Sequence, residues 1–275
     1  MPLVTMYITN SPEIAHVAEK NGVNRVFIDL EYLGKEERQK NMNSVKSNHK
    51  ISDISEIKKV LSRAEVLVRI NPWNQHSQEE VEAVIERGAD IVMLPMFHTT
   101  HEVKELIKCV NGRTKVMPLI ETKDARELID EIVELEGIDE LYIGLNDLHL
   151  DYKKKFMFEL LADGTVEELA QKINAKKIPF GFGGIAKLNG GMLPASRVIL
   201  EHYRLGSTRA ILSRSFCNTE QIKDLSQIDI IFKEGLKEIR DFEKVIQYES
   251  EDFFDENKEE TYKIIGTIVQ SLDKR

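Results

Sequence analysis

Cysteine is nearly absent. The 275 residues hold only Cys109 and Cys217, too few and too isolated for a disulfide framework or a thiolate metal site. Basic charge is also short: 38 Lys and Arg stand against 47 Asp and Glu, a net charge of −9. That balance leaves no footprint for nucleic acid. The one tight basic run, Lys153-Lys154-Lys155, is accounted for by a solvated helix start. Apolar runs are strand-sized, far below the roughly 20 residues a bilayer demands, so no membrane partner is expected. The chain enters Leu3-Val4-Thr5-Met6-Tyr7-Ile8 without a charged leader or cleavage site. With so little cysteine, a reducing, cytoplasmic location is the expectation.

What the chain has is regular alternation. Hydrophobic residues make up 41%, enough for a sizeable core. Short apolar runs recur at Leu3–Thr9, Arg25–Glu31, Val66–Asn71, Asp90–Met96, from Val116, up to Leu148, at Ile178–Ile185 and at Arg209–Phe216. Amphipathic stretches separate them. Their starts are marked by Ser11-Pro12 and by the pairs Asp53/Glu56, Ser77/Glu80, Thr99/Glu102 and Thr165/Glu168, which have capping-box spacing. A charged helix is expected from Lys35, and residues 44–52 lose periodicity and read as a loop. Eight strand-then-helix units predict a (β/α)8 TIM barrel with residues 1–217 as its core. In 218–275, Ile228, Ile231, Phe232, Leu236, Ile239, Phe242 and Ile246 share one helical face, and Tyr262, Ile265, Ile268, Val269 and Leu272 another. One of these helices should close the barrel as its eighth. The extra C-terminal helix needs a surface to cover, on its own barrel or a partner's.

The stretch Val116–Leu148 carries the chemistry. It reads V-M-P-L-I-E-T, then a helix's worth of chain, then E-L-Y-I-G-L-N-D-L. A right-handed strand–helix–strand unit would bring Glu121 and Asp147 to one carboxyl edge of the sheet. Two carboxylates there repel each other unless a cation sits between them. Oxygen ligands suit Mg²⁺ or Mn²⁺ better than zinc. The plainer alternative is two acids that cap the following helices.

Several stretches together match one family. V-F-I-D-L-E (26–31), V-R-I-N (68–71), G-A-D-I-V-M-L-P-M (88–96), P-L-I-E-T (118–122) and I-G-L-N-D-L (143–148) fall in order, each at an expected strand end. In these the chain resembles the HpcH/HpaI aldolase and citrate lyase β-subunit family, metal-dependent barrels of the pyruvate/phosphoenolpyruvate superfamily. The resemblance implies that Glu121 and Asp147 bind the metal and that Arg69 holds the oxo and carboxylate oxygens of the substrate. It implies that Asp29 and Glu31 accept hydrogen bonds from metal-bound water, and places Gly144, Leu145 and Asn146 at the substrate. The expected activity is a carbon–carbon lyase or aldolase reaction on a 2-oxo acid such as pyruvate, with an aldehyde as the second partner. The family's habits also suggest a homo-oligomer.

One position departs. The aldolase branch places a histidine after the Asp-x-Glu of the second strand, and here that residue is Tyr32. A phenol titrates near 10 and is a poor base at neutrality. Proton transfer would then fall to a metal-bound hydroxide, or to His98 or His149, although a histidine in such a loop is more often a surface or capping residue. The rival readings are a citrate-lyase-like enzyme acting on an acyl-CoA, and a barrel that binds a metabolite without turnover. The glycines at 183–184 and 190–191 read as a phosphate cradle with Arg214 as its partner, or equally as a hairpin of tight turns or a mobile lid.

Overall fold

Each apolar run folds as a short parallel strand. In chain order they are β1 (Val4–Ile8), β2 (Arg25–Asp29), β3 (Glu65–Arg69), β4 (Ile91–Leu94), β5 (Lys115–Ile120), β6 (Leu141–Ile143), β7 (Phe180–Ile185) and β8 (Arg209–Leu212). Each pairs with the next, and β8 returns to β1, so the sheet closes as a barrel. The computed structural model describes residues 2–34 and 48–274. The helix expected from Lys35 lies outside the described residues.

Parallel neighbours need crossovers. Those described are α1 (Pro12–Lys20), α2 (Ile51–Val60), α3 (Ser77–Glu86), α4 (Thr100–Val110), α5 (Lys123–Glu127), α6 (Ile129–Ile132), α7 (Leu145–Asp151), α8 (Glu159–Ala162), α9 (Thr165–Ala175) and α10 (Ala195–Leu205). Ser11 caps α1, its Oγ accepting the Ile14 N–H, with Pro12 in the first turn. Thr99 and Glu102 form the expected reciprocal cap of α4.

The other three pairs turn out differently. Helix α2 starts at Ile51, so Asp53 sits in its first turn and accepts the Lys50 N–H at 2.8 Å. Glu80 turns away from its own helix start to accept from the Asn71 backbone and side chain, at 3.2 and 2.9 Å. Gly164 precedes Thr165 as the cap of α9, and Glu168 instead pairs with Arg126 at 2.6 Å. For Glu80 and Glu168 a partner more distant in sequence competes for the acid that local spacing assigns to the cap, whereas Asp53 serves a cap that begins three residues earlier than expected.

Strand alternation divides the core in two. Val26, Ile28, Val66, Val68 and Val92 face outward to the helices. Met6, Phe27, Leu67, Ile91, Met93, Met117, Leu119 and Tyr142 fill the barrel itself. The same inward register continues past this filling at both ends. Arg25, Glu65, Lys115, Glu140 and Arg209 meet at the floor, where the Arg25 guanidinium donates to both oxygens of Glu140 at 2.7 and 2.6 Å. Asp29, Arg69 and Glu121 occupy the opposite end, the mouth.

The glycines of β7 serve packing. A Cβ on Gly181 would lie 2.5 Å from the Tyr142 ring and from the Arg209 carbonyl. The space lets Tyr142 reach the irregular β7–β8 pairing, where its hydroxyl donates to the Gly183 carbonyl at 2.6 Å and accepts the Ile211 N–H at 3.0 Å. Gly183, at φ 56, approaches Leu145 too closely for a side chain.

Two long helices follow β8. Helix α11 (Leu225–Ile246) packs on α1 and completes the outer ring, with Glu243 accepting the Leu3 N–H at 2.7 Å. Helix α12 (Glu251–Leu272) covers α10 and α8 of its own barrel, where Arg197 donates to Asn257 at 2.7 Å. Among the described residues no helix is long and apolar enough to cross a membrane.

Candidate active site

Arg69 closes β3 and Asp29 closes β2, directly paired in register. Asp29 is buried, and its two oxygens accept from Arg69 Nε and Nη2, both at 2.9 Å. Glu31, also buried, lies 3.3 Å from Arg69 Nη2. Beneath, the Phe27 ring faces the guanidinium at 5.7 Å. Burial alone would lower the Arg69 pKa; the charges of Asp29, Glu31 and Glu121 outweigh it and raise it, so Arg69 stays cationic. One edge of its fork is therefore committed, Nη1 makes no hydrogen bond among the described residues, and Arg69 lines a mouth cavity of about 680 Å³. In this structure Asp29 and Glu31 both pair with Arg69.

Glu121 follows β5 directly and is only 2% exposed. Its Oε1 accepts the Met96 N–H at 3.0 Å. Met96 adopts φ 48 to present that N–H, a left-handed conformation that costs a residue with a Cβ about 1–2 kcal/mol. On its other side Gly144 leaves room, since a Cβ there would lie 2.8 Å from Glu121 Cβ and 2.9 Å from Oε2. Asp147 stands past β6 in the first turn of α7, rather than at the strand end. Burial and the Asp147 charge push the Glu121 carboxyl well above its usual range, and Arg69 opposes them in part.

The donor set defines which ion these residues could hold. Among the described residues no cluster of three or more His, Cys, Asp or Glu could coordinate a metal. Two carboxylates fit a hard ion that keeps most of its water, as Mg²⁺ does. A buried acid crowded by a second negative charge is the electrostatic condition that such a cation relieves. Glu121 and Asp147 fit the expected group on both counts.

The other expected residues divide. Asn146 lines the mouth with Arg69, Asp147 and Arg214. Leu145 is buried in the core, its carbonyl facing His149 Nδ1. His149 is buried with Nδ1 3.1 Å from the Leu145 carbonyl of its own helix. His98 is half-exposed and pairs with Asp124 at 2.6 Å, out on the rim. Tyr32 is 68% exposed. Its N–H and that of Leu33 donate to Asn71 Oδ1 at 3.0 and 3.1 Å, and Asn71 is in turn held by Glu80.

Two further residues contact the site acids without having been assigned a role from the sequence, Met96 at the end of the 88–96 motif and His49. Met96 shows its role only through backbone conformation. His49, twenty residues past Asp29 and inside the stretch read as a loop, accepts the Asp29 N–H on Nδ1 at 3.0 Å. It lines the mouth cavity and an adjoining one of about 690 Å³ that also contains Glu31 and Tyr32.

Comparison with known proteins agrees with this architecture. The HpcH/HpaI aldolase from Desulfitobacterium hafniense DCB-2 is 16% identical, with a TM-score of 0.61 over 87% of this chain and 93% of its own. An HpcH/HpaI aldolase/citrate lyase family protein from Burkholderia cenocepacia J2315 is 12% identical, with a TM-score of 0.64 over 82% and 94%. Macrophomate synthase is 15% identical, with a TM-score of 0.55 over 78% and 77%. At such identities these likenesses speak for the fold alone. A search of curated proteins gives no match. The sequence model for HpcH/HpaI aldolase/citrate lyase matches residues 4–159, more than half of the chain and the part that contains Asp29, Arg69, Glu121 and Asp147. The chain belongs to the HpcH/HpaI aldolase/citrate lyase family.

Proposed function

We propose that this protein is a divalent-metal-dependent carbon–carbon lyase or aldolase acting on a 2-oxo acid. Family membership supports aldolase or lyase chemistry in general. The finer reading rests on one observation: a guanidinium anchored by Asp29 shares a buried rim with Glu121, whose carboxyl is crowded by Asp147. Bound by Glu121 and Asp147, Mg²⁺ or Mn²⁺ would supply Lewis-acid stabilisation to an enolate oxygen.

The chain's own residues do the rest. Arg69 presents Nη1 to the substrate carboxylate, a charge-assisted contact whose direction Asp29 sets. Glu31 adds to the field that keeps the guanidinium charged. Gly144 and the Leu145 backbone allow close approach of a small planar acid, and Asn146 contacts it from the mouth. Of the histidines proposed for proton transfer, His149 has only Nε2 left for the task, and His98 would act from the rim with Asp124. The second substrate is an aldehyde. The C-terminal helices contribute to a homo-oligomer in this reading; a monomer in sedimentation at micromolar concentration refutes that part.

Exchange of pyruvate methyl protons in D₂O, followed by NMR with and without Mg²⁺ or Mn²⁺, tests the core of the proposal. Metal-dependent exchange is expected in the native chain. Asp147→Ala should abolish it while the circular dichroism spectrum stays native. No exchange with either metal removes pyruvate enolisation from consideration.

A further inference from the structure

We infer that Asn71 is a positioning residue for the substrate-binding arginine: its amide clamps the chain that leaves β2 and so holds Glu31 against Arg69. This rests on the 2-oxo-acid reading above. The chain leaving β2 is tied at every residue. The Leu30 N–H donates to the Arg69 carbonyl at 2.9 Å, and the Glu31 N–H to Asp29 Oδ1 at 3.2 Å. The next two N–H groups, of Tyr32 and Leu33, both donate to Asn71 Oδ1, at 3.0 and 3.1 Å.

Asn71 lies two residues past Arg69 and is buried. The contacts therefore close a ring. It runs from the Arg69 guanidinium to Glu31 at 3.3 Å, along the chain to Tyr32, across to the Asn71 side chain, and back through Ile70. Ile70 is itself fixed, its N–H donating to the Met93 carbonyl at 3.1 Å. The ring ties the end of β2 to the end of β3, where Arg69 lines the mouth.

The position calls for an amide. While Oδ1 accepts from two N–H groups, Nδ2 donates to Glu80 Oε1 at 2.9 Å. Glu80, in the first turn of α3, also accepts the Asn71 N–H at 3.2 Å. One end of the side chain must accept and the other must donate, which an amide does and a carboxylate does not. A carboxylate would meet Glu80 with like charge. A residue that acts through Glu31 and Arg69 sets how well the substrate carboxylate is held, before and during proton removal alike. Its loss should move KM and leave kcat in place.

Pyruvate exchange in D₂O gives KM and kcat, and titration calorimetry with pyruvate gives Kd, all with Mg²⁺. Mildly alkaline pH disfavours a proton shared between two neighbouring acids. The set is the native chain, Asn71→Ala, Asn71→Asp, Glu80→Gln and the double variant Asn71→Asp/Glu80→Gln. Asn71→Ala and Asn71→Asp should raise KM and Kd by about tenfold or more, with kcat within about threefold. In the double variant the new carboxylate still accepts both N–H groups and the new amide donates to its second oxygen. KM should then return to within about threefold of that of Glu80→Gln alone. Should Asn71→Ala fail to fold in a thermal melt, the isosteric Asn71→Asp and its rescue carry the test. A lowered Tm with native KM and Kd makes the ring an element of the fold alone and overturns the inference. So does a fall in kcat at constant KM, or a double variant no better than Asn71→Asp. A native chain that binds pyruvate without exchanging it refutes the enolate chemistry, and Kd then decides the inference. A native chain that does neither refutes the 2-oxo-acid reading, and the inference falls with it.

Discussion

The two ends of the barrel bury a glutamate each, Glu140 at the floor and Glu121 at the mouth, exposed by 3% and 2%. Burial pushes both carboxyls up, and their neighbours then part them. At the floor, hydrogen bonds and charges from Arg25 and Arg209 overcome burial and bring Glu140 down to about 2. At the mouth, Asp147 adds its repulsion to burial, Arg69 compensates only in part, and Glu121 rises well above its usual range. At the floor both acids, Glu65 and Glu140, are paired with basic side chains of the same layer. The mouth instead holds Glu121 crowded beside Asp147, which matches the general placement of function at the carboxyl ends of barrel strands.

Glu140→Gln should have the largest effect. It would leave Arg25 and Arg209 buried without their shared counter-charge, at a cost of about 3–5 kcal/mol, read as a fall in the urea midpoint. The native pairing also sets an acid limit. Because the folded pKa of Glu140 is lowered, its contribution is full above the unfolded value near 4.5 and is lost as pH falls toward about 2. A pH series of melts should show that loss in the native chain and not in Glu140→Gln.

Gly144→Ala comes next. The added Cβ meets Glu121 at 2.8 Å, so about 1–3 kcal/mol of overpacking is expected, along with a weaker Mg²⁺- or Mn²⁺-induced rise in Tm. A metal-dependent Tm rise equal to that of the native chain would mean that Glu121 moves aside without consequence.

Glu121→Gln sharpens the contrast with the smallest expected shift. Without metal, removing one of two crowded carboxylates should raise stability at neutral pH by about 1 kcal/mol, opposite in sign to Glu140→Gln. The Tm rise on adding Mg²⁺ or Mn²⁺ should vanish. Destabilisation of the metal-free chain by this change would place Glu121 in the same structural class as Glu140.

Much of this molecule was legible from local pattern. All eight strands were visible as apolar runs because both faces of a barrel strand are buried, and β6 was merely shorter than its run. Arg69, Glu121 and Asp147 stood out in their motifs. The capping pairs were less legible: Glu80 and Glu168 have local spacing that fits a cap, yet each is engaged otherwise, and Asp53 caps a helix that starts earlier than its spacing with Glu56 suggests. The floor escaped notice altogether, since Arg25, Glu65, Lys115, Glu140 and Arg209 lie in five different strand regions and look like ordinary strand-start charges.

Sequence by itself determined the alternation of strands and helices, the closed barrel and the acids at its rim, because hydrophobic period and turn chemistry act over a few residues at a time. Only the tertiary structure decided which charges meet. It joined Arg69 to Asp29 across forty residues, set Asp147 against Glu121, and delivered His49 to the Asp29 N–H at the end of β2. Electrostatic interaction depends on distance in space and on the loss of water between the partners, and neither is recorded in the order of residues along the chain.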